Sequence, residues 1–177
     1  MSPMPQPRLR RLRPPLGALA LVSLLGALAC GPVDRRPGLW ISGEVASGPV
    51  ADWSFTDQVF EIALETRTWY GVPHSVTVVC AAAGDALYVP SVYSPGGRFP
   101  EERRWNRNVV RDPRVRLGIG GRIYERKAVL VEDPAEWQRA FDAFAAKSDF
   151  WKGLAEKPES ERPTLIFLRM DPRDAES

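Results

Sequence analysis

The alternation of apolar and polar residues is clearest at residues 114–119, where it predicts a β-strand. The valine, leucine and isoleucine of this segment share one face, and Arg114 and Arg116 share the other, which is the two-residue period of a half-buried strand. Gly120-Gly121 follows directly, and two glycines tolerate the positive φ angles of a two-residue hairpin turn. Residues 122–131 are therefore predicted to return as the antiparallel partner strand.

Two helices are predicted, one on each side of this hairpin. Residues 105–111 form the first, which must end near Asp112 because Pro113 disfavours the helical conformation in the residue before it. The second starts from Asp133, a good N-cap residue, with a proline at the first helical position and an acid at the third. An apolar stripe predicts that the second helix packs on a core, and this stripe consists of Trp137, Ala140, Phe141 and Phe144.

The other apolar runs predict four more strands and one short candidate. Residues 59–66 alternate, whereas residues 75–82 are apolar almost throughout, which indicates burial on both faces. Strands are also predicted at residues 86–91 and 164–168, and the short candidate lies at residues 39–42. With the two helices, this pattern predicts a mainly β domain with α-helices, of the α+β class.

The first 29 residues have the pattern of a secretory signal peptide. Four arginines precede an apolar run at residues 16–28, which is shorter than the roughly 20 residues that a membrane-spanning helix needs. Cys30 directly follows the small residue Ala29, and this arrangement resembles a bacterial lipoprotein signal, in which the cysteine is lipidated and becomes the new N-terminus. The alternative is an ordinary signal peptide cut near Ala29, which would leave a free Cys30.

We therefore expect an exported protein of the cell envelope that is anchored to a membrane through lipid on Cys30. Glycine after Cys30, rather than aspartate, resembles lipoproteins that are sent to an outer membrane. The chain would have three parts: a signal peptide at residues 1–29, a lipid-anchored tether and lead-in at residues 30–50, and one folded domain at residues 51–177.

Removal of the signal peptide changes the sign of the net charge. The whole chain has a formal charge of +2, but residues 1–29 hold four arginines and no acid, which leaves 20 basic against 22 acidic residues and a charge of −2. This balance gives no argument for nucleic-acid binding. Cys80 lies in an apolar run and is predicted to be a small buried core residue. With one histidine and one such cysteine, we expect no zinc site of the ordinary ligand type, and a lipidated Cys30 would leave Cys80 without a disulfide partner.

The first helix, its end and the hairpin together resemble the FMN-binding split-barrel superfamily, which includes pyridoxamine 5′-phosphate oxidase-like proteins and deazaflavin-dependent nitroreductases. The shared pattern is W-x-x-N-x-x-x-D/N-P-x-V, then a strand, G-G-R and Y-E-x-x-A-x-x-V. The resemblance implies an antiparallel six-stranded split β-barrel with two or three flanking helices, and a homodimer with the cofactor between its subunits. The matching residues here are Trp105, Asn108, Asp112, Pro113, Val115, Gly120, Gly121, Arg122, Tyr124, Glu125, Ala128 and Val131.

A second stretch, between the strands predicted at residues 59–66 and 75–82, resembles the phosphate-binding turn of the deazaflavin-dependent members. Their turn is similar to G-R-x-S-G-x-P-R; here Arg67, Gly71 and Pro73 match, His74 replaces a second basic residue, and Trp69-Tyr70 are bulkier than usual. An arginine fork, hydroxyl donors and a protonated imidazole all suit a phosphate. The alternative is that Arg67 and His74 are solvated turn residues. The cofactor-binding residues that the resemblance implies are Arg67, Thr68, His74, Ser75, Arg104 and Trp105, with Arg103 as a further source of positive charge.

The resulting hypothesis is an envelope lipoprotein similar to an FMN- or deazaflavin-dependent oxidoreductase, which transfers hydride or electrons to a small organic acceptor. No nucleophile–base pair or catalytic carboxylate pair is found in the sequence, so a cofactor would carry the chemistry, with Tyr70 or His74 as a candidate proton donor. The alternative is a cofactor-free binding or structural lipoprotein that keeps the barrel. A third hypothesis is a haem-binding variant in which His74, the single histidine, is the ligand.

Overall fold

Eight strands form a single sheet in this computed structural model, which describes residues 38–173. The hydrogen-bonded order is β3-β2-β6-β7-β8-β5-β4, and the short β1 pairs in parallel with β7. The other pairings are antiparallel, and the sheet is that of an open, split barrel. The strands are β1 (Glu44–Val45), β2 (Glu61–Arg67), β3 (Pro73–Val79), β4 (Ala81–Ala83), β5 (Ala86–Tyr93), β6 (Arg114–Ile119), β7 (Arg122–Leu130) and β8 (Thr164–Pro172).

The central hairpin is confirmed. β6 and β7 pair from Arg114 opposite Lys127 to Ile119 opposite Arg122. Gly120 and Gly121 join them with φ angles of 58° and 79°, which is the left-handed conformation that a primed turn requires at both central positions.

The predicted number of six strands is wrong, because the structure has eight. The strand predicted at residues 75–82 is divided at Cys80 into β3 and β4, which form the two ends of the strand order. The chain therefore crosses from one edge of the split barrel to the other through a single residue. The eighth strand is β1, which the sequence pattern did not predict.

The lead-in packs against the sheet, but the strand candidate at residues 39–42 is wrong. The backbone N–H of Ile41 donates to Oε2 of Glu65 at 2.6 Å, so a side-chain carboxylate satisfies it instead of a neighbouring strand. Strand pairing begins only at β1, after Gly43. A Cβ atom at position 43 would lie 2.5 Å from the carbonyl oxygen of Gly121, so this close approach requires glycine.

Three helices flank the sheet: α1 (Arg104–Arg111), α2 (Pro134–Lys147) and α3 (Asp149–Glu156). As predicted, α1 ends at Asp112, which is extended before Pro113 with φ −137° and ψ 102°. The predicted N-cap of α2 is also confirmed, since the side chain of Asp133 accepts from the backbone N–H groups of Ala135 and Glu136.

The core has two parts, one on each face of the sheet. The interior of the barrel is filled by residues such as Leu64, Leu117 and Trp105, and the fully buried Cys80 belongs to it as predicted. The second part lies between the sheet and helices α2 and α3, where Phe144, Trp151 and Phe167 are its largest buried side chains. Helix α1 packs on the barrel interior and not on this second core, because its Trp105 joins the first part.

The predicted signal peptide at residues 1–29 and the predicted lipidation site Cys30 lie outside the described residues. Within residues 38–173, no helix has the length and apolar character to cross a membrane.

Candidate cofactor site on the outer face of the sheet

The two faces of strand β2 differ chemically. Ile62, Leu64 and Thr66 point into the barrel, while Ala63, Glu65 and Arg67 alternate onto the outer face. In the register with β6, Ala63 lies opposite Gly118 and Glu65 lies opposite Arg116. The outer face is therefore polar at one end of β2 and formed by small residues a few positions away.

The polar end of the outer face is a cluster of arginines. A cavity of about 60 Å³ there has room for a few water molecules or one small anionic group. The side chain of Arg67 donates no hydrogen bond within residues 38–173, so its planar fork is available to a ligand. The cavity is lined by Arg67, Arg114, Arg116 and Arg173, by the carboxylates of Glu65 and Asp112, and by Thr66 and Pro73.

Ion pairs hold three of these arginines in place, and one of them is Arg114, whose Nε is 2.8 Å from Oδ1 of Asp112. Nη1 of Arg116 is 3.1 Å from Oε1 of the buried Glu65, and its Nε is 3.8 Å from Oε1 of Glu125. Glu125 also pairs with Arg173 at 3.2 Å. The chain of charges runs across β2, β6 and β7 and fixes the arginine side chains without neutralising Arg67.

Asp112 is the second carboxylate of the cavity. Hydrogen bonds from the Arg114 guanidinium at 2.8 Å lower the pKa of Asp112 to about 2, against an opposing effect of partial burial. Asp112 is therefore ionised at neutral pH, and Arg67 adds a smaller favourable electrostatic contribution.

Small residues form the neighbouring part of the outer face. Ala63, Thr77 and Gly118 line a cavity of about 500 Å³ together with Ile41 of the lead-in and Arg122. This volume lies within the range of roughly 300–1,000 Å³ that is typical of small-molecule sites. A Cβ atom at Gly118 would approach Ala63 Cβ and Ile41 Cδ1 to 3.3 Å, so a side chain there would reduce the space above the sheet.

His74 lies on the other face, inside the end of the barrel. It pairs with Thr66, whose Oγ1 donates to the His74 carbonyl oxygen at 3.1 Å and accepts from Nδ2 of Asn108 at 3.0 Å. Nδ1 of His74 is buried and has no hydrogen-bond partner. Burial, and secondarily the charge of Arg104, lower the pKa of His74, so the imidazole is neutral at pH 7.

The predicted site residues are thus divided between two faces. Ser75 lies opposite Glu65 on the outer face with a buried, unpartnered Oγ, whereas its neighbour His74 points inward. Thr68 is buried and donates its hydroxyl proton to the Val72 carbonyl at 2.7 Å, which holds the β2–β3 turn. Arg104 is exposed on α1 near His74, and Trp105 is buried in the barrel core. Arg67 and Ser75 are the two predicted residues that the structure places on the outer face together.

Several residues of this face were not predicted as site residues. The strand alternation had already placed Arg114 and Arg116 on one face, which was a usable signal. The sequence could not identify Ala63, Thr77 and Gly118 as site residues. Small residues indicate a cavity only when the space above them is known. Arg173 is remote in sequence and joins the cluster through the pairing of β7 with β8.

Comparison with known proteins identifies the family of this chain. The sequence model of the F420H(2)-dependent quinone reductase family matches residues 62–157, which is more than half of the chain. The chain belongs to this family. The matched segment contains β2, β3 and β6, which carry most of the outer-face site. No curated protein matches the sequence significantly.

Solved structures agree on the fold. A conserved hypothetical protein from Mycobacterium tuberculosis is 18% identical with a TM-score of 0.50, covering 68% of this chain and 77% of the other. A Bacteroides thetaiotaomicron protein named for 5-nitroimidazole antibiotic resistance is 16% identical with a TM-score of 0.50, covering 79% of this chain and 90% of the other. The family and the fold together assign the chain to the FMN- and deazaflavin-binding split-barrel superfamily, as the sequence pattern predicted.

Proposed function

We propose that this protein is a reductase that uses an F420-type deazaflavin to transfer a hydride to a small organic acceptor of the quinone class. The family supports the type of cofactor and the type of acceptor. The observation that carries the proposal is the outer face of β2 and β6, where a cavity of about 500 Å³ with small residues on its floor is followed along β2 by the arginine cluster. A planar ring and a phosphate need these two environments side by side.

The residues present fit such a cofactor. Arg67 would bind the phosphate, because its fork is unpaired and because bidentate arginine–phosphate contacts are strong. Ser75, whose Oγ is buried without a partner on the same face, would add a hydroxyl donor. Ala63, Gly118 and Thr77 would leave room for the ring. When bound, the reduced deazaflavin supplies the hydride, and the protein supplies position and electrostatics.

The two candidate proton donors lie away from this floor. Tyr70 is exposed at the tip of the β2–β3 turn, and His74 points into the barrel. We therefore assign neither a role in proton transfer. His74 instead belongs to the hydrogen-bonded set with Thr66 and Asn108 that joins α1 to the edge of the sheet.

The proposal includes location and assembly. The signal-like sequence before residue 30 supports an exported protein of the cell envelope, with lipid on Cys30 as its membrane anchor. A homodimer would cover the outer face with a second subunit and enclose the cofactor there. The location is supported by the signal-like sequence, and the homodimer by the resemblance to the split-barrel superfamily.

Absorption spectroscopy of the purified protein tests the function. Deazaflavin or FMN is added, free cofactor is removed by gel filtration, and the retained visible band is measured; the reduced form is then mixed with a soluble quinone. We expect a retained deazaflavin band and its quinone-dependent reoxidation. A protein that retains neither cofactor would support the cofactor-free alternative. A haem band that disappears in His74→Ala would support the haem-binding alternative.

A further inference from the structure

The tip of the β2–β3 turn exposes large apolar side chains. Trp69 is 79% exposed and Tyr70 is 53% exposed, and their rings meet edge to face with centroids 5.2 Å apart. Val72 follows them with 39% exposure. These three exposed side chains lie within four residues and form a surface that we call the aromatic tip.

The turn itself does not require these side chains. It is closed by the backbone bonds from Thr68 N–H to the Val72 carbonyl at 3.1 Å and from Gly71 N–H to the Thr68 carbonyl at 3.0 Å. Gly71 has φ 83°, which the turn needs from a glycine, and Thr68 donates its hydroxyl to the same Val72 carbonyl. Polar residues at positions 69 and 70 would satisfy this geometry equally well, so the aromatic residues have no structural role in the described chain.

Leu39 and Trp40 extend the apolar surface beside the turn. The carbonyl oxygen of Gly38 accepts from Ser75 N–H at 3.2 Å, so the lead-in begins against β3. Leu39 is 50% exposed and Trp40 is 38% exposed, although the next residue, Ile41, is buried.

Positive charge lies beside this surface, on helix α1. Helix α1 carries Arg104, Arg107 and Arg111 and no acidic residue, although arginine in a first turn opposes the helix dipole. Arg111 donates through Nη2 to the carbonyl oxygen of Arg67, which fastens the end of α1 to the base of the turn. Arg104 and Arg107 donate no side-chain hydrogen bond within residues 38–173. Both arginine side chains are exposed, and the exposed acids Glu101 and Glu102 precede the helix.

We propose that the aromatic tip docks on the surface of an anionic phospholipid bilayer, with the arginines of α1 bound to headgroups. Tryptophan and tyrosine favour the membrane–water interface, where the ring is apolar and its polar atom remains hydrated. The aliphatic Leu39 and Val72 suit the boundary between the headgroups and the acyl chains. They argue against nucleic acid as the partner, because stacking on bases would use aromatic rings alone. Each arginine near an anionic membrane surface strengthens the binding of the protein to that surface.

A second copy of the chain is a less suitable occupant. A two-fold interface that included this surface would bring the arginines of α1 from both subunits into one contact area. The position of the lead-in also favours a bilayer. Seven residues lie between Cys30 and Gly38, and the eight Cα–Cα steps that join them span at most about 29 Å when extended. Lipid on Cys30 would therefore keep the aromatic tip close to the membrane.

The test measures contact between Trp69 and lipid, which remains informative even if residues 1–37 hold the full chain on vesicles. Full-length protein is bound to vesicles of phosphatidylcholine with brominated acyl chains, with and without phosphatidylglycerol, and tryptophan quenching is recorded. We expect stronger quenching of tryptophan fluorescence with phosphatidylglycerol than without it. Trp69→Phe should lose most of this quenching. Trp137→Phe is the matched control and should retain it, because Trp137 packs against Phe141 on α2. Arg107→Gln should weaken docking on anionic vesicles by about fivefold.

Three results would overturn the proposal. The first is a failure of the full chain to bind anionic vesicles, and the second is equal quenching of the wild type and Trp69→Phe on vesicles that do bind. The third is a dimer in solution that the double variant Trp69→Ser/Tyr70→Ser converts to monomer, since a second copy would then cover the aromatic tip. None of these measurements uses a redox cofactor, so they are independent of the proposed reductase activity.

Discussion

Glu65 and Arg116 lie directly opposite each other on β2 and β6, with Arg116 Nη1 3.1 Å from Glu65 Oε1. The other carboxylate oxygen of Glu65 accepts the backbone N–H of Ile41 at 2.6 Å. One buried side chain thus joins the lead-in to the outer face and orients an arginine of the candidate site. This relationship connects the fold with the proposed phosphate-binding cluster.

Glu65→Ala should therefore lower the free energy of unfolding by about 3 kcal/mol, because it leaves a partly buried arginine without its partner and removes the acceptor of Ile41. Chemical denaturation measures the change. Asp149→Asn is the control: it breaks the exposed pair of Asp149 with Lys152, for which about 0.5 kcal/mol or less is expected. Similar losses in the two variants would show that Glu65 has no special structural role.

Arg67→Ala should weaken binding of the phosphate-bearing cofactor by about 10- to 100-fold, the value of one charge-assisted contact. The thermal midpoint of the protein without cofactor should not change, since Arg67 is exposed and donates no side-chain hydrogen bond within residues 38–173. Equilibrium titration with FMN and with deazaflavin measures the affinity. Arg139→Ala on α2 removes an equal charge elsewhere, and an identical loss in that variant would indicate a general electrostatic effect.

Ala63→Phe should prevent cofactor binding while the protein remains folded. The aromatic ring would occupy the 500 Å³ cavity above Gly118, and phenylalanine is well tolerated on the face of a strand. Gel filtration with added cofactor and circular dichroism check the two parts of this expectation. Lys152→Phe places the same ring on the exposed surface of α3, away from the outer face of β2, and should bind cofactor normally. Normal binding by Ala63→Phe would place the ring of the cofactor elsewhere.

Asp112 should make stability fall in acid. Because hydrogen bonds from Arg114 lower the pKa of Asp112 from 3.8 to about 2 in the folded protein, its ionisation favours folding. This contribution is complete above about pH 4 and is lost as the pH falls towards 2. We expect the wild type to lose about 1 kcal/mol more than Asp112→Asn over this interval, a value reduced for the exposure of Arg114. Parallel stability curves for the two proteins would contradict the assigned ion pair.

Much of the fold could be predicted because its signals are local. Pro113 ends α1 through a steric clash with the residue before it, Gly120-Gly121 supplies two positive φ angles, and Asp133 caps α2 with its own carboxylate. Each of these interactions acts within a few residues. The family pattern is built from the same residues, which explains why fold and superfamily were predicted correctly.

The division of the predicted strand at Cys80 could not be predicted from local sequence signals. Residues 75–82 are apolar almost throughout, and this composition suits one buried strand as well as two strands that meet at a corner. The corner exists because β3 pairs with β2, whereas β4 pairs with β5, and β5 joins the other side of the sheet by pairing with β8, about 70 to 80 residues later in the chain.

The residues of the candidate site were also only partly predictable from local sequence. The turn chemistry at residues 66–75 predicted Arg67, His74 and Ser75 as one group, because sequence proximity does not specify which side of a strand a residue faces. Only the register places His74 beside Thr66 inside the barrel and Ser75 beside Glu65 outside it. The sequence by itself determined the turns, the helix ends and the superfamily, since these depend on local conformational preferences. The tertiary structure alone decided which arginines share the outer face, because long-range strand pairing brings Arg67, Arg116 and Arg173 to one cavity.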